Sequence, residues 1–146
     1  MAKLNMKKAV AFMRKDLEKN WGKINFSYED RGGDNGIKIE ADVTLTGFDD
    51  SILVVINAYP GGFAYFRAIF DKIQPTAEVL QLVNKFNNEN SFFKAIVRDD
   101  NFLEIKNPIV VYDEVVFKSY ANEFLYQLLD VKDSDVMKKL ASLTSK

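Results

Sequence analysis

Covalent and acid–base chemistry needs groups that titrate, ligate or attack, and this chain of 146 residues lacks two of the most useful: it has no His and no Cys. Their absence removes disulfides, thiolate zinc sites, iron–sulfur ligation, cysteine nucleophiles, imidazole ligands and the commonest general base. What remains are acidic pairs, Asp49 with Asp50, Asp99 with Asp100, and Asp113 with Glu114. Such pairs can hold a metal or divide acid and base roles, but each stands in a turn or at a helix start, where Asp is favoured for backbone hydrogen bonding alone. No nucleophile elbow or Walker motif recruits the remaining Ser, Thr, Tyr and Lys side chains. The expectation is therefore a chain that is not an enzyme, with no catalytic residue, no metal ligand and no cofactor.

Two further groupings invite a ligand. The loop Arg31-Gly32-Gly33-Asp34-Asn35-Gly36 is glycine-rich and acidic. Setting Gly36 at the invariant glycine of a calcium loop puts Arg31 and Gly33 at the first and third ligand positions, so that pattern fails. Its glycines link alternating strands and open no helix, so it is no dinucleotide fingerprint either, and a hairpin turn accounts for it. Asn84, Asn87, Asn88 and Asn90 could present amides to a ligand, although helix C-terminal capping accounts for at least one or two of them.

Charge is balanced overall, 20 Lys and Arg against 21 Asp and Glu, but it is unevenly placed. Residues 3 to 23 hold seven cations against Asp16 and Glu18, net +5, and residues 28 to 50 hold seven anions against Arg31 and Lys38, net -5. A basic amphipathic helix can lie on an anionic membrane. Complementation of the two segments, within the fold or across a dimer, is the simpler reading. With a net charge of -1 the chain generates no overall field of the kind that drives nucleic-acid binding, so nucleic acid is not expected as a partner. The apolar run from Ala9 to Met13 is too short for a signal peptide, and no stretch reaches the ~18 residues of a membrane span, which points to the cytoplasm.

The elements that must position these residues are legible from periodicity. Met6, Ala9, Val10, Met13 and Leu17 mark a helix over Asn5 to Asn20, with Gly22 beyond its end. Ile24, Phe26 and Tyr28 alternate, as do Ile37, Ile39, Ala41, Val43 and Leu45, predicting a hairpin with one wet face. Ile52 to Tyr59 and Phe63 to Phe70 form a second hairpin around Pro60-Gly61-Gly62. Pro75 suits a first helical position, opening a helix marked by Val79, Leu80, Val83 and Phe86. Phe92 to Arg98 and Phe102 to Lys106 flank the turn Asp99-Asp100-Asn101, and Ile109 to Tyr112 reads as a further short strand. Phe117, Tyr120, Ala121, Phe124 and Leu128 give a helical stripe, and Asp135 to Leu143 a final short helix. A single α+β domain over residues 1 to 146 follows, its order α-ββββ-α-ββ(β)-α-α, with helices packed on an antiparallel sheet.

The second hairpin carries the strongest functional signal, because apolar residues occupy both of its faces. A three-residue loop places Tyr59 opposite Phe63, Asn57 opposite Tyr65 and Val55 opposite Arg67. The odd-numbered face then holds Leu53, Val55, Asn57, Tyr59, Phe63, Tyr65, Arg67 and Ile69. The even-numbered face, with three alanines that admit a close helix, is the better core. Tyr, Phe and Arg are enriched in interface cores, and a wide apolar patch on a monomer is unusual. Either the C-terminal helices cover the odd face, making three layers, or another chain does. These eight residues are the candidate partner-binding set, for a protein partner and in particular a homodimer. The competing possibility is a small-ligand-binding domain or a cofactor-dependent enzyme with a pocket between helices and sheet.

At Leu82-Val83-Asn84-Lys85-Phe86-Asn87, followed by the hairpin Phe93 to Val97 and Phe102 to Ile105, the chain resembles the YbjN-like family, a group with the type III secretion chaperone-like fold. The likeness lies in a helix ending in an Asn-bearing stretch, a tight acidic hairpin and a later helix rich in Phe and Leu, here Phe117 to Leu129. The resemblance implies an α+β domain that often dimerises, with protein-binding chaperone or regulatory roles and no catalytic residues to carry over. Secretion chaperones are usually more acidic than this chain.

Overall fold

The computed structural model describes residues 5–44, 52–110 and 113–144. The chain opens with α1 (Met6–Asn20), whose apolar residues at helical spacing are all buried and whose first turn is capped by Asn5, accepting the Lys8 N–H. β1 (Ser27–Asp30) and β2 (Ile37–Val43) form the first hairpin. The loop between them is held by the Asp30 carboxylate, which accepts the Gly32 N–H at 2.9 Å, and by a single 3₁₀ turn at Gly33–Asn35. The glycine-rich loop is thus a hairpin turn.

β3 (Ile52–Tyr59) and β4 (Phe63–Lys72) pair with Tyr59 opposite Phe63, Asn57 opposite Tyr65 and Val55 opposite Arg67, the register expected from a three-residue loop. α2 (Ala77–Glu89) follows. Its cap is Thr76, which accepts the Val79 N–H, so Pro75 precedes the cap and is not the first helical residue. β5 (Lys94–Val97) and β6 (Phe102–Val110) make the third hairpin, then come α3 (Glu114–Val131) and α4 (Asp135–Ser142). The strands form one antiparallel sheet ordered β1-β2-β3-β4-β6-β5. The architecture is α+β, in the order α-ββββ-α-ββ-α-α.

The separate strand expected at Ile109 to Tyr112 is corrected: Ile109 and Val110 complete β6, and Tyr112 lies outside the described residues. Lys106-Asn107-Pro108 looks like a break in sequence, yet Pro108 sits in the ladder opposite Tyr65. β5 pairs no further along β6 than Lys106, so beyond that point β6 is an edge strand on that side. A residue without an N–H is tolerated there.

One core runs between helices and sheet. It takes in the even-numbered residues of β3 and β4, from Ile52 to Phe70, and the buried stripes of all four helices. Phe66 is its aromatic centre, with ring centroids 6.0 Å from Phe117, 5.6 Å from Tyr120 and 5.4 Å from Phe124. Ala58, Ala64 and Ala68 are fully buried beside it, as expected where a helix layer approaches closely. α1 is tied to α3 by Asn122, which accepts from the Trp21 indole N–H at 2.9 Å and donates to Asp16.

Candidate functional site

Residues directly opposite in an antiparallel ladder share a face, so the register assembles the other side of the sheet row by row. One row runs Glu40, Val55, Arg67, Lys106, Lys94. The next is Asp42, Leu53, Ile69, Glu104, Ile96, and on the other side of the first lie Glu29, Lys38, Asn57, Tyr65 and Pro108. Tyr59, Phe63 and Val110 close the pattern. All eight odd-numbered residues singled out from sequence therefore lie on one face, flanked by strands rich in charge.

That face is not part of the common core. Val55 and Asn57 are buried, Leu53, Tyr59, Tyr65, Arg67 and Ile69 are half-buried, and Phe63 is 42% and Val110 56% exposed. Among the described residues, the aromatic and polar contacts of the eight odd-numbered residues run to other residues of the sheet. The Tyr59 and Phe63 rings stand 6.1 Å apart and those of Phe63 and Tyr65 6.2 Å apart. The Arg67 guanidinium and Lys106 ammonium lie 5.9 and 6.0 Å from the Tyr65 ring centre, within cation–π range. The four helices pack on the opposite side, so the two-layer arrangement replaces the three-layer one in which C-terminal helices would cover this face.

At the centre of the basic flank, Arg67 donates through Nη2 to Asn57 Oδ1 at 3.1 Å, while its Nη1 stands 3.6 Å from Glu104 Oε1. Arg98 brings a second guanidinium to the same oxygen at 3.8 Å and also pairs with Asp100 at 3.1 Å. The Glu104 side chain is only 6% exposed, and a charge so buried is tolerated because two cations flank it. Neither Glu104 Oε1 nor Arg67 Nε has a hydrogen-bond partner. A groove of about 610 Å³ opens here, lined by Arg67, Ile96, Arg98, Asp99, Asp100 and Glu104 among others. Sequence reasoning missed Glu104, Lys106 and Lys94 as members of this face. Their alternation was visible, but the pairing of β6 with β4 that brings them beside Arg67 is long-range.

The other candidates resolve into structure. Asp113 caps α3 by accepting the Val116 N–H at 2.8 Å, with Glu114 in the first turn; Asp100 accepts the Phe102 N–H in its turn; Asp49 and Asp50 lie outside the described residues. Asn87 both donates to Ala95 O at 3.0 Å and accepts from Ala95 N at 2.6 Å, serving as a surrogate neighbouring strand for β5, and Asn90 is the C-terminal cap of α2 and accepts from the Phe92 and Phe93 amides. Such use of Asn87 blocks an open strand edge. Among the described residues no cluster of three or more acidic groups could hold a metal ion.

Electrostatic links between the basic helix and the acidic hairpin are present: Lys7 pairs with Asp30 at 3.3 Å, and Arg14 lies 4.5 Å from the Tyr28 ring centre. The Asp30 carboxyl is held below its usual range by the Gly32 amide and by Lys7. Burial pushes the Tyr28 hydroxyl up to about 12, against the opposing pull of Arg14, and burial also raises Tyr120, whose hydroxyl donates to Asn107 Oδ1 at 2.9 Å. Between helix and sheet, the space near Met6, Ile37 and Ala58 is about 60 Å³, room for roughly two waters. Among the described residues no helix is long and apolar enough to cross a membrane. The sequence matches no family model and no curated protein.

Proposed function

We propose that this chain is a non-enzymatic, cytoplasmic binding domain that carries protein on the outer face of its sheet, by self-association or by holding a segment of another protein. The observation that supports this reading is the two-layer packing: four helices share one side of the sheet, while the other presents an aromatic strip of Tyr59, Phe63 and Tyr65 beside Arg67. Aromatic and Arg side chains dominate interface energetics, and interfaces set them in an apolar centre with a polar rim. The flanking strands, with Lys38, Glu40 and Asp42 on one side and Lys94, Glu104 and Lys106 on the other, supply that rim. A chaperone-like or regulatory role of this kind agrees with what the YbjN-like resemblance implies.

The test is Tyr65→Asp, which sets a charge at the middle of the face without touching the core. The expected result is an intact fold by far-UV circular dichroism with association lost. Where the parent self-associates, a variant that elutes and sediments like it would overturn the assignment of this face; where the parent is a monomer, photo-crosslinking from position 65 in cells decides.

A further inference from the structure

We propose that the helix layer carries a second surface, one that seats the protein on an anionic lipid bilayer. It runs along α1 and α3 on the side turned away from the sheet, and is separate from the docking face. Lys8, Phe12, Lys15 and Lys19 stand at i, i+4, i+7 and i+11 and form one exposed stripe of α1, opposite its buried stripe. The contacts of α1 with α3 advance in step: the Lys118 ammonium is 4.8 Å from the Phe12 ring centre, Asp16 accepts from Asn122, and the Trp21 ring meets that of Tyr126 at 4.9 Å. The two helices are therefore parallel neighbours. One turn earlier the same register brings Lys8 level with the start of α3, where Val115 is 58% exposed. Exposed apolar side chains, Phe12, Val115 and Tyr126, are thus interspersed with lysines over a single two-helix surface.

The charges that the fold leaves unspent select lipid. The basic segment complements the acidic hairpin only in part: Lys7 pairs with Asp30, while Arg14 serves Glu18 and the Tyr28 ring. Among the described residues, Lys8, Lys15 and Lys19 form no ion pair, and Lys15 and Lys19 are like charges one turn apart, which costs helix stability. The acids of α1 cannot offset them, because Asp16 is held by Asn122 and Lys118 and Glu18 by Arg14. Glu123 and Asp130 lie further round α3, away from α1. Nucleic acid would be met through the cations and has no use for an exposed aliphatic such as Val115. An anionic leaflet takes both features. Its surface charge attracts the lysines, Phe12 and Val115 enter the headgroup boundary, and Tyr126 sits at that level against Trp21.

Partition of the full chain onto vesicles tests this, read by co-sedimentation and by the fluorescence of Trp21, the single Trp of the chain. Phosphatidylcholine with about 30% phosphatidylserine should bind the parent and phosphatidylcholine alone should not, with binding falling as salt is raised. Lys8→Gln, Lys15→Gln and Lys19→Gln should each lower the partition coefficient roughly fivefold, and the three together about 100-fold. Phe12→Ser should weaken binding at every salt concentration, whereas Tyr65→Asp, on the other side of the sheet, should leave it unchanged. Brominated acyl chains should quench Trp21 in the bound parent, a reading that needs no variant. No binding to the anionic vesicles, binding without quenching of Trp21, or loss of binding in Tyr65→Asp would each overturn the proposal. So would a short duplex DNA that binds parent and Phe12→Ser alike and as tightly as the vesicles do, since the surface would then read charge alone.

Discussion

Adjacent residues Tyr65 and Phe66 point to opposite sides of β4, and truncating each to Ala should give two different proteins. Phe66 is fully buried and its ring meets Phe117, Tyr120 and Phe124. Phe66→Ala removes a large apolar side chain from a three-ring cluster and leaves a cavity, which costs about 3–5 kcal/mol. Against a total of roughly 5–15 kcal/mol for a domain, that is enough to lower the melting temperature by roughly 10 °C. Tyr65 is half-buried and its ring contacts lie within the sheet, with Phe63, Arg67 and Lys106. Tyr65→Ala should cost about 1 kcal/mol or less, the scale of a cross-strand pair. Urea unfolding followed by circular dichroism measures both, at concentrations dilute enough that association contributes nothing to apparent stability. A Tyr65→Ala protein as destabilised as Phe66→Ala would refute the reasoning, because it would mean that this chain's own residues bury the Tyr65 side of the sheet.

Three further outcomes follow from local geometry. Gly36 has φ 69° and a side-chain carbon there would lie 2.2 Å from Ala58 O, whereas one at Gly61, φ 96°, meets nothing within 4 Å; Gly36→Ala should therefore destabilise by at least ~1 kcal/mol more than Gly61→Ala, and equal midpoints in urea would contradict this. Asn87→Ala strips the amide and carbonyl of buried Ala95 of their partners, so a loss of about 1–3 kcal/mol is expected, with faster hydrogen exchange at the Ala95 amide; unchanged exchange there would count against the strand-edge role of Asn87. The Tyr28 hydroxyl is buried without a hydrogen-bond partner and its pKa is raised to about 12. Because the folded state disfavours the phenolate, this contribution to stability is complete below pH 10 and is lost as pH climbs through 12. Tyr28→Phe should be neutral or stabilising at pH 7 and should lose stability less steeply than the parent over that alkaline range; parallel curves would refute it.

Much of the fold was legible because its apolar residues keep strict time. The stripe Met6, Ala9, Val10, Met13, Leu17 became the buried side of α1, and the run of three alanines on the even face of the second hairpin became the helix-facing side. The loop length between Tyr59 and Phe63 fixed the register, so the eight-residue face emerged intact. The errors came where local signals compete with tertiary pairing. Pro108 reads as a break, yet it continues β6 because β5 is too short to need its N–H. Thr76 outbids Pro75 as a helix start because its hydroxyl satisfies the Val79 amide. Glu104 reads as one more surface acid, and only the pairing of β6 with β4 places it between Arg67 and Arg98.

The most direct test of the docking face replaces Tyr65 by p-benzoylphenylalanine, which on illumination bonds to whatever lies against it, both in purified protein and in cells that express it. A covalent adduct to a second polypeptide chain is the expected product. Insertion only into this chain's own helices, or no adduct in either setting, would contradict the claim that protein docks on this side of the sheet.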